Sequence, residues 1–87
     1  MRQKMNDIMR NPETVKSLAH EIKKVCDGYW SRQISEDNAK KYMTYWAVHE
    51  GKKLFKGKEF NSTLSMIIGK RRIDLISNWL EVTQIEF

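Results

Sequence analysis

Three observations predict an all-α fold, a compact bundle of three or four helices with a short C-terminal arm. Apolar residues recur at spacings of three and four over most of the chain, helix-start signals stand before those runs, and only one Pro and four Gly interrupt 87 residues. A hydrophobic content of 40% with three each of Trp, Tyr and Phe supplies a core, and the length fits one small domain with a thin stability margin. Residues 1–10 are read as an N-terminal extension and residues 11–87 as a single helical domain.

The first helix opens at Asn11-Pro12-Glu13, where a capping side chain precedes a proline at the first helical position and an acid in the first turn. Val15, Leu18, Ala19, Ile22, Val25, Cys26 and Tyr29 then share one stripe, so the helix is expected from Pro12 to about Arg32. Gly28 lies in its last turns and costs about 1 kcal/mol relative to Ala, which predicts fraying or a bend there. Ser35 caps the second helix, with Glu36 and Asp37 facing the positive end of its dipole. Ala39, Tyr42, Met43, Trp46 and Ala47 form its apolar stripe, and Gly51 after Glu50 suggests a left-handed stop. So short a connection between the two helices predicts an antiparallel hairpin.

Lys52 to Phe60, broken by Gly57, reads as a loop whose Leu54 and Phe55 tuck under the helices. Asn61, Ser62 and Thr63 are three consecutive capping residues for a third helix, which Leu64, Ile67 and Ile68 continue. Leu75, Ile76, Trp79 and Leu80 resume a helical stripe after Gly69, so Gly69 either lies inside one long helix or separates two short ones. Val82 to Phe87 scatters its apolar residues and carries no caps, which fits an arm, a short strand or disorder.

No catalytic or metal-binding pattern appears, and we expect a non-enzymatic protein with no cofactor and no metal. His20, Cys26 and His49 match neither C-x-x-C nor H-x-x-x-H spacing, and a structural zinc needs about four ligands. Cys26 sits on the apolar stripe of the first helix, the place of a core cysteine rather than a nucleophile. Gly51, Gly57 and Gly69 are too far apart to cradle a phosphate, and Gly69-Lys70 lacks the remainder of a P-loop. A lone cysteine gives no intrachain disulfide, the first ten residues lack an apolar signal core, and no run approaches about eighteen apolar residues. The expected setting is the cytoplasm, away from any membrane.

The feature that remains is charge. Between Gly51 and Arg72 stand Lys52, Lys53, Lys56, Lys58, Lys70, Arg71 and Arg72 against a single acid, Glu59, a local +6 that exceeds the +5 of the whole chain. Two clusters result, separated by the run from Phe60 to Ile68. If a turn occurs at Gly69, Lys70-Arg71-Arg72 occupy the first turn of the next helix, a placement like that of a helix-turn-helix reading helix, although three cations there oppose the helix dipole. If one helix runs through, the same residues form a solvated face. Among the aromatic residues, Trp30 and Tyr45 lie beside the apolar stripes and are expected to be partly exposed, the position of an anchor for a partner or an unstacked base.

The strings Met9-Arg10-Asn11-Pro12, Tyr45-Trp46, Glu50-Gly51-Lys52-Lys53-Leu54-Phe55-Lys56, Ile67-Ile68-Gly69-Lys70-Arg71-Arg72 and Asn78-Trp79-Leu80-Glu81 resemble a family of short, uncharacterised proteins of low-GC Gram-positive bacteria and their phages. The resemblance covers most of the chain from Met9 onward and implies a bacterial or phage setting without implying an activity. By class analogy, small phage proteins without catalytic residues act by binding DNA or by blocking a host complex, as anti-CRISPR proteins do.

The leading expectation is a small binding protein that contacts a nucleic-acid backbone through Lys52, Lys53, Lys56, Lys58, Lys70, Arg71 and Arg72. The alternative is an inhibitor or regulator that docks its basic face, with Trp30, Tyr45 or Phe87 as anchors, on an acidic protein partner. Net positive charge argues against DNA mimicry, which needs carboxylates. A homodimer built on Val82, Ile85 and Phe87 is compatible with both.

Overall fold

The protein is described here from a computed structural model covering residues 8, 9, 11–57 and 59–85. Its elements, in chain order, are α1 (Val15–Trp30), α2 (Glu36–His49), α3 (Gly51–Leu54), β1 (Phe55–Lys56), β2 (Glu59–Phe60), α4 (Ser62–Ile68) and α5 (Lys70–Ile85). The expected all-α bundle is therefore present, with one helical turn and a small antiparallel hairpin added to it.

α1 begins three residues later than its sequence signals suggest. Thr14, in extended conformation, is the N-cap, and its side-chain oxygen accepts the Ser17 N–H at 2.9 Å. Asn11 serves a different purpose: its Oδ1 accepts the Tyr45 hydroxyl at 2.9 Å, joining the approach to α1 to the far part of α2. α1 ends at Trp30, because Arg32 adopts a left-handed φ of 68° and the N–H groups of Gln33 and Ile34 both return to the Gly28 carbonyl. This tight return explains Gly28. A Cβ placed there would lie 2.6 Å from Ile34 Cδ1, so the glycine admits Ile34 rather than bending the helix.

α2 starts as expected, with the Ser35 oxygen accepting the Asn38 N–H at 3.2 Å. Gly51 is not a left-handed stop. Glu50 closes α2 at φ −121°, and Gly51 opens the single turn of α3. The expected loop after it is the β1–β2 hairpin, pairing Phe55 with Phe60 and Lys56 with Glu59 around Gly57, whose φ is 68°. Leu54 is fully buried as predicted, whereas Phe55 is half-buried and stacks on Phe60 at 5.2 Å.

Of the three capping residues before α4, Asn61 is the one used, its Oδ1 accepting from Thr63 and Leu64. Gly69 resolves the ambiguity of the last third. At φ 90° and ψ 157° it takes a conformation that L-residues avoid, so α4 and α5 are separate helices joined by one residue. The C-terminal arm is replaced, as far as Ile85, by a continuation of α5, which includes Val82. Phe87 lies outside the described residues.

One core unites these elements. Leu18, Ile22 and Val25 of α1 meet Met43 and Trp46 of α2, Leu54 of α3, Leu64 and Ile68 of α4, and Ile76 of α5, all of them fully buried. Each such side chain contributes about 1.5–3 kcal/mol of transfer free energy. Ile8, assigned to the N-terminal extension by sequence, is buried with them, and the Met9 N–H donates to the buried carboxylate of Glu21 at 3.0 Å.

Candidate nucleic-acid interface

α4 packs along α1, while α5 packs mainly on α2. The Tyr45–Asn11 bond fixes the C-terminal part of α2, and so α3 and the hairpin that follow it, near the start of α1. Arg72 fixes the opposite end of α4 near the finish of α1, because its Nε and Nη2 lie 3.0 and 2.9 Å from Asp27 Oδ1. The two basic clusters therefore stand at opposite ends of α4, whose seven residues span about 10 Å.

Within the cluster near the hairpin, Lys53 is committed to Glu50 at 2.6 Å. Lys52 and Lys56 are exposed and have no ion pair among the described residues, while Lys58 lies outside the described residues. Among the described residues no shared ion pair joins Lys52, Lys53 or Lys56 to Lys70, Arg71 or Arg72.

The second cluster occupies the first turn of α5, as a break at Gly69 requires, and its three cations play different parts. Arg72 is structural: besides Asp27 it donates Nη1–H to the Ile68 carbonyl at 3.0 Å, which satisfies an orphan acceptor at the C-terminal end of α4. Lys70 reaches Asp74 one turn on, at 3.7 Å and in open solvent, a pairing worth little. Arg71 is exposed, and its guanidinium carbon lies 5.2 Å from the centroid of the Trp30 ring; that of Arg72 lies at 5.8 Å from the same ring. Trp30 itself is 40% exposed, whereas Trp46 and Trp79 are buried.

Of the other anchors singled out by sequence, Tyr45 is half-buried and engaged by Asn11 and by the His49 ring at 4.3 Å. Phe87 falls outside the described residues.

Sequence reasoning singled out Trp30 but missed the lysines of α1 that share its stripe. Lys16, Lys23 and Trp30 are spaced by seven, which puts them on one stripe at intervals of about 10 Å. Lys23 borders a groove of about 480 Å³ shared with His20, Lys24 and Asp27. The signal was present as a spacing of seven, but the apolar stripe of the same helix drew the reading away from it. Lys24 is held by Glu21 at 3.2 Å, and Lys23 has no ion pair among the described residues.

Cys26 lies just inside this surface and is fully buried. Burial pushes its thiol pKa up to about 12; the Arg72 charge works against that shift and Asp27 adds to it. A neutral thiol without solvent access is a poor nucleophile. Among the described residues no group of three or more His, Cys, Asp or Glu could hold a metal, and no helix is long and apolar enough to cross a membrane.

No curated protein and no solved structure matches this chain. A family model described as "Conserved hypothetical protein" matches residues 9–81, a span that includes every element from α1 to α4 and α5 as far as Glu81. The chain belongs to that family of conserved hypothetical proteins.

Proposed function

We propose that this protein is a non-enzymatic binding protein that contacts a nucleic-acid backbone through the surface where α1 ends and α5 begins. The observation that carries the reading is the convergence of Arg71 and Arg72 on the exposed ring of Trp30, with Lys23 two turns away on the same stripe. Arg72, neutralised by Asp27, holds the surface in shape, and Arg71, Lys70 and Lys23 supply the field. Lys52 and Lys56 offer a second cationic contact beyond α4. A bacterial or phage setting, in low-GC Gram-positive hosts, and a cytoplasmic location belong to the same reading.

Such binding is driven by counterion release, so log affinity falls linearly with log salt, at about 0.9 per phosphate neutralised on duplex DNA and about 0.7 on single strands. Fluorescence anisotropy of labelled oligonucleotides between 50 and 200 mM salt (on the order of the usual range) measures the slope. We expect about three neutralised phosphates at this surface, from Lys23, Lys70 and Arg71, and a steeper slope where a longer strand also reaches Lys52 and Lys56. Absence of binding to both duplex and single strands at the lowest salt would sink the reading.

One observation favours a second reading, an inhibitor or regulator docked on an acidic protein. Val48 is 70% exposed on α2, in a groove shared with Tyr45 and rimmed by Lys40 and Lys41. A stoichiometric protein partner that survives nuclease treatment in a pull-down, and is lost on Val48→Asp, would favour it over nucleic acid. A homodimer remains compatible with both readings, and light scattering gives the mass that decides it.

A further inference from the structure

We propose that the nucleic acid this protein takes is single-stranded, and that one unpaired base stacks on Trp30. The inference rests on the backbone-binding reading above and adds to it the class of strand. Trp30 is the exposed tryptophan of the described residues, and the fold keeps it there without need: its neighbour Tyr29 makes the edge-on packing with Trp79, while Trp30 lies on the solvent side of the helix end. The guanidinium of Arg71 lies over the Trp30 ring at 5.2 Å from its centroid, and an exposed side chain is free to yield that place to a base and turn its charge to the adjoining phosphate, the equipment of a stacking platform.

The same geometry disfavours a duplex. A reading helix needs its first turns free to enter the major groove, and here Arg72 is bound to Asp27 and to the Ile68 carbonyl. One turn beyond Lys70, the side chain of Asp74 is 64% exposed and would approach the phosphates of a groove-docked duplex. The connection between α4 and α5 is one residue, shorter than the three- or four-residue turn that sets the helix-turn-helix angle. A flexible strand has no such requirements. It can lie along the α1 stripe, meeting Lys16 and Lys23 with its backbone and Trp30 with a base.

The test uses the full chain and three labelled probes: a dT 20-mer, a 20-base-pair duplex, and a 20-mer whose central nucleotides are abasic, which keeps the phosphates and removes the bases. At low salt the dT strand is expected to bind about tenfold or more tighter than the abasic strand, and tighter than the duplex. Binding should also quench tryptophan emission, and Trp30→Leu should remove the quenching while lowering affinity for dT to that for the abasic strand. Circular dichroism verifies that the variant is folded. Equal affinity for dT and abasic strands, duplex preference, or quenching that persists in Trp30→Leu would overturn the stacking proposal while leaving backbone binding intact. Failure of all three probes to bind would remove the backbone reading and this proposal with it.

Discussion

At the scale of single residues, Gly28 and Cys26 make opposite points about what a side chain can be asked to do. A methyl group at Gly28 would meet Ile34 Cδ1 at 2.6 Å and Cγ1 at 2.9 Å. Gly28→Ala gains about 1 kcal/mol in helix propensity, and overpacking costs about 1–3 kcal/mol. We expect a net loss of stability in urea denaturation, and Ile34→Val, which deletes Cδ1, should make the double variant less unstable than the two single losses added together. Cys26, held neutral by burial, should resist alkylation at pH 8 until the chain is unfolded. Because its folded pKa of about 12 exceeds the unfolded value near 9, the unfolded state holds fewer protons between those limits. Stability should therefore be unaffected by this group below pH 9 and fall as pH rises from there towards 12. The core position of Cys26 was legible from its place on the stripe. The reason for Gly28 was not, because a contact with Ile34 depends on how tightly the chain returns after Trp30, which periodicity does not encode.

At the scale of elements, the first turn of α5 divides its cations between support of the fold and the proposed binding. Arg72→Ala loses a half-exposed ion pair and the hydrogen bond to the Ile68 carbonyl, and should cost about 1–2 kcal/mol in equilibrium unfolding. Arg71→Ala removes only an exposed contact with the Trp30 ring, so stability should change by about 0.5 kcal/mol while affinity for oligonucleotides falls. The reverse pattern would reassign the two arginines. Sequence placed both in one cluster because charge is all that the two have in common. The presence of α1, α2 and α4 and the cap Ser35 could be read directly, since periodicity and capping chemistry agree there, while Asn61 was one of three candidates that sequence left open. The α3–β1–β2 segment could not, because two-residue strands are too short to alternate and a single helical turn leaves no period. Gly69 was ambiguous for a related reason: apolar residues continue at helical spacing on both sides of it, and only its φ of 90° reveals the break.

At the scale of the whole molecule, the division of positive charge between the two ends of α4 predicts additivity. Groups more than about 7–10 Å apart without shared partners act independently within about 0.3–0.5 kcal/mol, and the Debye length at physiological salt is about 8 Å. Lys52→Glu with Lys56→Glu, and Lys23→Glu with Arg71→Glu, should therefore lower log affinity for a long oligonucleotide by amounts that add in the quadruple variant. A strand too short to pass both ends should respond to only one pair. Less-than-additive losses on the long strand would mean that the two ends grip the same phosphates.

Gly69 is the entire connection between α4 and α5, and it sits where Arg72 also ties α5 to the end of α4 and to Asp27 of α1. Three helix ends are thus clamped at one corner, with no slack segment to absorb a change of angle. A tilt of α5 would have to turn on the two dihedrals of one residue or carry α4 and α1 along. A ligand of the kind proposed would therefore meet the positive corner already in shape, and the conformational entropy lost on association would be borne by the ligand's chain rather than by the protein.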